Sequence, residues 1–233
     1  YLLVIYCSIY FGLSFIVISY FKNSYSKLLL IPVLFVLSEI FKENFVGPKE
    51  LMSIGHQINF RLPKKTPNIN IDLSLINPND YILILGIKKL NDNSSLNLKK
   101  LVSIFGFKSS SNNASFYNQD WYYKEKFTET CLSDKWYLVQ KKVIDKTRGI
   151  NPESLNDKDL PSSILCAYTF FSWWLLRKEL LWENDFIWCS DQDRHGDRIY
   201  VGKYLDLDDE KRSGFSIHRH LAIKSNYGCI KTL

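Results

Sequence analysis

Acidic and histidine side chains alternate in a short stretch near the end of the chain, where they could bind a divalent metal ion. The stretch reads DQDRHGDRIYVG over residues 191–202. Its candidate metal ligands are Asp191, Asp193, His195 and Asp197. A calcium loop needs oxygen ligands at alternate positions and a glycine at the sixth, which Gly196 supplies. Position twelve is Gly202 rather than a bidentate glutamate, so the pattern favours a looser site built from the aspartates.

A second pair of candidate ligands follows in the sequence HRH. His218 and His220 are two residues apart, so on a β-strand both side chains would project from the same face. Together with His195 or an aspartate of residues 191–197, they could hold zinc or iron. The alternative interpretation is a solvated turn beside two histidines that pack on a sheet edge. A divalent metal ion is therefore one of two hypotheses for this region.

The five cysteines are odd in number and contain no C-x-x-C pair. They are Cys7, Cys131, Cys166, Cys189 and Cys229. Their wide spacing and their apolar or aromatic neighbours are typical of buried thiols rather than of a disulfide framework or a zinc knuckle. No nucleophile can be named among them, and Cys189 comes nearest to one because polar residues follow it.

Three strand candidates must position the polar residues. They cover residues 185–190, 198–205 and 214–223, and the polar loops DQDRHGD and DLDDEKRS separate them. Such short polar connections predict an antiparallel meander. Earlier in the chain, DWYY at 120–123 and KWYLVQKKV at 135–143 also carry strand-forming residues.

A long apolar run at residues 164–181 predicts a helix at the centre of the core, because it is apolar nearly all round. The segment 80–90 predicts a buried strand, and 96–105 predicts a helix that Ser95 caps and Gly106 ends. Four tryptophans in and after the long run offer an alternative role as a sugar-binding platform. They are Trp173, Trp174, Trp182 and Trp188.

The first part of the chain differs from the rest in its hydrophobicity. Residues 1–21 contain no charged side chain. At a rise of about 1.5 Å per residue, a helix of this length crosses the hydrocarbon core of a membrane, so a transmembrane helix is predicted. A second apolar run, residues 28–37, is too short to span alone. It forms either the second arm of a helical hairpin or, within residues 28–45, a buried or interfacial helix. Residues 1–41 are the expected membrane contact.

The same region resembles a known membrane family. The pattern Y-F-G-L at 10–13, a basic linker and LLIPVLFVLSEIFKENFVGP at 29–48 are similar to the membrane region of bacterial apolipoprotein N-acyltransferases. In that family a helix ends in a glutamate, and a basic residue and a Gly-aromatic-Pro-Trp turn follow. The matching positions here are Glu39, Lys42, Gly47 and Pro48. The resemblance implies a location in the bacterial inner membrane. No nitrilase-like catalytic domain can be placed after residue 48, so no catalytic residue is carried over.

A second resemblance lies at the other end of the chain. A W-C-S strand, a turn, an I-Y-V strand and a closing G-F-x-I-x-R strand resemble the tail of bacterial C-type-lectin-like domains.

Charge excludes one class of partner. The net charge of +6 is modest, and basic and acidic residues are interspersed. A nucleic-acid surface normally shows clustered Lys and Arg on one face, so no nucleic-acid partner is expected.

The predicted fold is α+β. An N-terminal membrane helix or helical hairpin occupies residues 1–47, and a soluble domain with an antiparallel β-meander and a central apolar helix occupies residues 48–233. One predicted function is a membrane-tethered binding module of unknown ligand, with or without a metal ion. The alternative is an enzyme. It would be either a truncated or fused relative of the acyltransferases or a metal-dependent hydrolase or oxygenase that uses Asp193, His218 and His220.

Overall fold

Helices and two β-sheets make up the protein, which confirms the predicted α+β class. The computed structural model describes residues 26–107, 114–155, 160–204, 213–219 and 223–233. One sheet has three strands and the other has four. Apolar residues from both sheets pack in one core against a central helix, as the apolar run predicts.

The first described helix, α1, spans Ser26–Phe41 and ends in the protein core. Leu37 and Phe41 are buried there, whereas Phe35 is 65% exposed. A single 3-10 turn, Lys42–Asn44, follows, so the helix is shorter than the expected limit at residue 45. Within the described ranges no helix is both long and apolar enough to cross a membrane. Residues 1–21, where the crossing helix is expected, lie outside those ranges.

The three-stranded sheet draws on distant parts of the chain. Strand β1 is Phe45–Val46, and it pairs in parallel with β2, Tyr81–Leu85. Strand β3, Trp136–Gln140, pairs antiparallel with β2 on the other side. Phe45 and Val46 are buried in the same core as β2. The residues on both sides of the expected division at 47/48 therefore pack together. Strand β2 ends at Leu85 and is therefore shorter than the predicted 80–90. Beyond it, the N–H of Lys88 donates to the side chain of Asp134 at 2.7 Å rather than to a neighbouring strand.

Two short helices, α2 (Pro48–Ser53) and α3 (Gly55–Ile58), follow β1. Helix α4 spans Leu98–Phe105. Its cap is Asn97 rather than the predicted Ser95, since the Asn97 side chain accepts a hydrogen bond from the N–H of Lys100 at 3.0 Å. Gly106 ends the helix with a positive φ of 62°, as predicted.

The central helix α5 spans Ser163–Arg177. Ser162 caps it by accepting from the N–H of Leu165. The helix ends four residues before the predicted position 181, because Lys178 adopts a left-handed conformation with a φ of 59°. Tyr168 on α5 donates to the carbonyl oxygen of Leu85 at 2.7 Å and so ties the helix to β2.

The four-stranded sheet contains the predicted meander. Its strands are β4 (Phe186–Gln192), β5 (Arg198–Tyr204), β6 (Gly214–Arg219) and β7 (Tyr227–Gly228). Strands β4, β5 and β6 pair antiparallel in sequence order, which confirms the meander, and β7 pairs in parallel with β4.

The outer edge of β6 is covered by the chain before Trp121. The N–H of Phe215 donates to Ser115, and the carbonyl of Phe215 accepts from Tyr117. After Tyr117 the chain turns away from β6, and its side chains rather than its backbone make the next hydrogen bonds to the strand. The side chain of Gln119 accepts from the N–H of Ile217 at 3.4 Å, and the indole of Trp121 donates to the Ile217 carbonyl at 3.1 Å. The predicted strand at 120–123 is instead a 3-10 helix, Trp121–Lys124.

The end of the chain joins the two sheets. Strand β7 lies beside β4, and a few residues later Leu233 lies beside β3. The N–H of Leu138 donates to Leu233 at 2.9 Å, and the N–H of Leu233 donates back at 3.1 Å. Gln140 and Lys231 make a further backbone bond of 3.0 Å. Residues 227–233 thus connect β3 of one sheet with β4 of the other.

Candidate functional site

The polar turn between β4 and β5 is organised by one carboxylate. Asp193 has a side chain with 0% exposure. One of its oxygens accepts hydrogen bonds from the N–H groups of His195, at 2.8 Å, and Asp197, at 2.9 Å. Gly196 has a φ of 87°, which allows the turn to close without strain. Asp193 therefore shapes the loop that the sequence singled out.

The second oxygen of Asp193 holds an arginine from β6. Nη1 of Arg219 lies 2.6 Å from Asp193 Oδ2, and its guanidinium carbon lies 4.7 Å from the centre of the Trp121 ring. Burial alone would raise the pKa of Asp193, but Arg219 and the two backbone N–H groups lower it more strongly. The carboxylate is ionised at neutral pH, and the guanidinium is fixed between a charge and an aromatic ring.

A second arginine is held in the same way next to the first pair. Glu125 has a side chain with 3% exposure and accepts from Nε of Arg194 at 2.7 Å and from its backbone N–H at 3.0 Å. The Arg194 side chain itself is 54% exposed. Because Arg194 follows Asp193 directly, both ion pairs lie at one corner of the sheet. We call this group of residues the arginine corner: Trp121, Glu125, Asp193, Arg194 and Arg219.

A shallow surface depression adjoins the arginine corner. It is lined by Asp120, Trp121, Tyr123 and Lys124. Aromatic surface and both signs of charge therefore meet at one open place on the protein.

The predicted metal ligands take separate positions. Asp191 accepts from the N–H of Ser163 at 2.5 Å, at the start of α5, and burial raises its pKa. His195 is exposed, Asp197 is partly exposed, and His220 lies outside the described residues. His218 neighbours Arg219 on β6 and therefore points to the opposite face of the sheet from Arg219. Over the part of the chain that the structure describes, no three His, Cys, Asp or Glu side chains form a group that could hold a metal ion. A metal site that includes His220 stays a prediction.

The four tryptophans that could form a sugar-binding platform are not exposed on the protein surface. Trp173, Trp174, Trp182 and Trp188 are all buried. They pack in the core, which is the commoner role of such clusters. The residues that the sequence interpretation missed are Trp121, Glu125, Arg194 and Arg219. The available signal was that both arginines directly follow a singled-out residue, Asp193 or His218.

His218 is packed among aromatic rings. Its ring stacks on Tyr200 with 5.3 Å between ring centres, and Phe186 lies 5.7 Å away. Nε2 of Gln119 donates to its Nδ1 at 3.2 Å, which requires an unprotonated Nδ1. Burial lowers the pKa of His218 to about 4.

This lowered pKa predicts a dependence of stability on pH. Unfolded His218 binds a proton below pH 6.5, while folded His218 stays neutral until about pH 4. The contribution of His218 to the free energy of unfolding should therefore be nearly constant above pH 6.5 and fall by about 3 kcal/mol as the pH drops to 4. Denaturant unfolding between pH 7 and pH 4 measures this slope. His218→Phe should flatten it, whereas His56→Gln, a change at an exposed histidine, should not. Equal slopes in all three proteins would contradict the assignment.

Cys189 is buried, and burial, followed by the neighbouring Cys166, raises its pKa. Because the thiolate is the reactive form, a thiol reagent at neutral pH should label Cys189 at least about tenfold more slowly than a model thiol. Cys131 is partly exposed and serves as the internal control. Mass spectrometry of each labelled peptide over time gives both rates. Labelling of Cys189 faster than Cys131 would restore it as a nucleophile candidate.

No family model, curated protein or solved structure matches this chain. The resemblances to apolipoprotein N-acyltransferases and to C-type-lectin-like domains therefore stay predictions.

Proposed function

We propose that the chain is a membrane-tethered binding module that recognises its ligand at the arginine corner. The observation that carries this proposal is the pairing of two buried carboxylates, Asp193 and Glu125, with two arginines that remain partly exposed. Residues 1–41 would provide the tether.

Stability alone is a poor reason for such a pairing. Removing a carboxylate from water costs more than a surface ion pair returns, and apolar residues of similar size often stabilise a protein equally well. The two carboxylates do fix where the arginine side chains lie. Ordering these flexible side chains in advance lowers the entropy that a ligand would otherwise have to overcome.

A binding site also needs fewer specialised side chains than a catalytic site does. Oriented cations beside an aromatic ring suffice to hold a ligand. The best nucleophile candidate, Cys189, is by contrast buried with a raised pKa. The enzyme alternatives that use Asp193 with His218 would need the two side chains to act from opposite faces of the sheet.

The test uses the indole N–H of Trp121, which donates to Ile217 and gives its own nuclear magnetic resonance signal. The 233-residue chain in nonionic detergent would be titrated with anionic, neutral and cationic small molecules and with short peptides. We expect one class to shift the Trp121 signal, which Trp121→Phe identifies, and to leave the buried Trp188 signal in place. If no class shifts it, the arginine corner is not a binding site. Loss of the chain from membranes on alkaline extraction would contradict the tether.

A further inference from the structure

We propose that the ligand of the arginine corner is an acidic sugar, a sugar ring that carries a phosphate or carboxylate group. This inference rests on the proposed function and names the chemical class of its ligand. It follows from the donors that remain on Arg219, from the second cation and from the lining of the adjoining depression.

Arg219 has one edge available for an oxyanion. Its Nη1 is bonded to Asp193. Among the described residues no partner contacts its Nε or Nη2, and the side chain is 31% exposed. These two nitrogens form the parallel fork that binds two oxygens of a carboxylate or phosphate at once. Because Asp193 and Trp121 already hold the guanidinium plane, the fork is oriented before the ligand arrives.

A second cation reinforces this preference. Glu125 occupies Nε and Nη2 of Arg194 and leaves Nη1 without a partner in the described part of the chain. Lys124 lines the depression beside Trp121. Each can donate to further oxygens of an anionic group.

The depression itself favours a hydroxylated ring over a purely apolar one. Trp121 and Tyr123 line it with aromatic surface, against which the C–H groups of a sugar can pack. Asp120 lies at the same place and can accept hydrogen bonds from hydroxyl groups. It would repel a second anionic group, so the acidic group belongs at Arg219 and the ring at Asp120.

The probes separate the two halves of the ligand. Four acidic sugars would be used, namely glucose 6-phosphate, mannose 6-phosphate, glucuronate and galacturonate. Glucose and inorganic phosphate represent the ring and the anion alone. Titration into the 233-residue chain, followed at the Trp121 indole signal, should give a Kd below about 10 mM for at least one acidic sugar. Binding of each half alone should be at least about tenfold weaker, because each lacks one set of contacts. A phosphate sugar and its carboxylate counterpart tell the two anions apart.

Variants tie the binding to the fork. Arg219→Lys keeps a positive charge beside Asp193 but removes the fork, so affinity should fall about tenfold while the chain stays folded in a thermal melt. Arg148→Gln is the control, because Arg148 is also 31% exposed and paired with a carboxylate, Asp185, but lies away from the corner. Its affinity should not change.

Three results would overturn the inference. They are a Kd above about 10 mM for all four acidic sugars, equal binding of glucose or inorganic phosphate alone, and unchanged affinity in Arg219→Lys. If peptides or cationic molecules shift Trp121 while acidic sugars do not, the proposed binding function stands and only the ligand class is wrong.

Discussion

Replacing Arg219 with methionine should lower the free energy of unfolding by about 3 kcal/mol at pH 7, because the carboxylate of Asp193 would stay buried without its partner. This is the lower end of the effect of breaking a buried ion pair. The lower end applies because the Arg219 side chain is itself 31% exposed, so water reaches one partner of the pair. Methionine keeps most of the apolar contact with Trp121, so the loss reports mainly on the charge.

A double variant separates the ion pair from the loop. Asn at position 193 is neutral and retains an oxygen for the N–H groups of His195 and Asp197. Arg219→Met combined with Asp193→Asn should therefore recover at least about 1 kcal/mol of the loss. Chemical denaturation of the wild type, both single variants and the double variant completes the cycle. A single Arg219→Met variant as stable as the wild type would show that the pair is dispensable.

The pH dependence of the same variant has a definite sign. In the wild type the lowered pKa of Asp193 adds stability that is present above pH 3.8 and is lost as the pH falls through the folded value. Without Arg219 the carboxylate loses its main favourable partner, so protonation relieves the penalty. The difference between wild type and Arg219→Met should shrink when unfolding is measured below pH 4.

Replacing Gly214 with alanine should cost about 2–3 kcal/mol, because the new methyl group would meet backbone atoms. It would lie 2.6 Å from Phe116 C and Tyr117 N, and 2.8 Å from the Phe116 carbonyl oxygen. A flexible side chain could move aside, but this backbone is bonded to Phe215 on β6. The covering segment would have to leave the edge of the sheet.

Gly55→Ala is the matched control for this substitution. No atom lies within 4 Å of the added methyl group at Gly55, and the residue is in helix α3. Alanine there should be neutral or slightly stabilising, since it restricts the unfolded chain. Guanidinium unfolding of both variants gives the comparison. Equal stability of the two would mean that the contact between residues 115–117 and β6 is loose.

Local pattern predicted the parts of the fold whose contacts are local. The meander follows from apolar strands joined by short polar turns, and α5 follows from its long apolar run. Strand β1 has only two residues, Phe45 and Val46, and exists because β2 lies beside it some forty positions later. No local pattern marks such a strand. The segment at 120–123 has strand-forming residues, but its chain turns away after Gln119, so the tertiary contact overrides propensity.

In the candidate site, too, the local sequence does not predict contacts with residues that are distant along the chain. Alternating carboxylates suit a cation, so the local sequence predicts Asp191 and Asp193 as metal ligands. In the structure Asp191 accepts from Ser163, 28 positions away, and Asp193 bonds Arg219, 26 positions away. A carboxylate that accepts from backbone N–H groups and one that binds a metal have the same local sequence. The tertiary structure determines which of these partners lies beside each carboxylate.

Residues 227–233 hydrogen-bond to β3 and lie beside β4, and this arrangement bears on how the protein folds during its synthesis. A ribosome makes the chain from the N-terminal end, so β2 with β3 and β4 with β5 can pair while synthesis continues. The link between the two sheets has to wait for the last residues described. Until then the edges of β3 and β4 are open to pairing with other chains, and a chaperone that covers them would prevent such pairing.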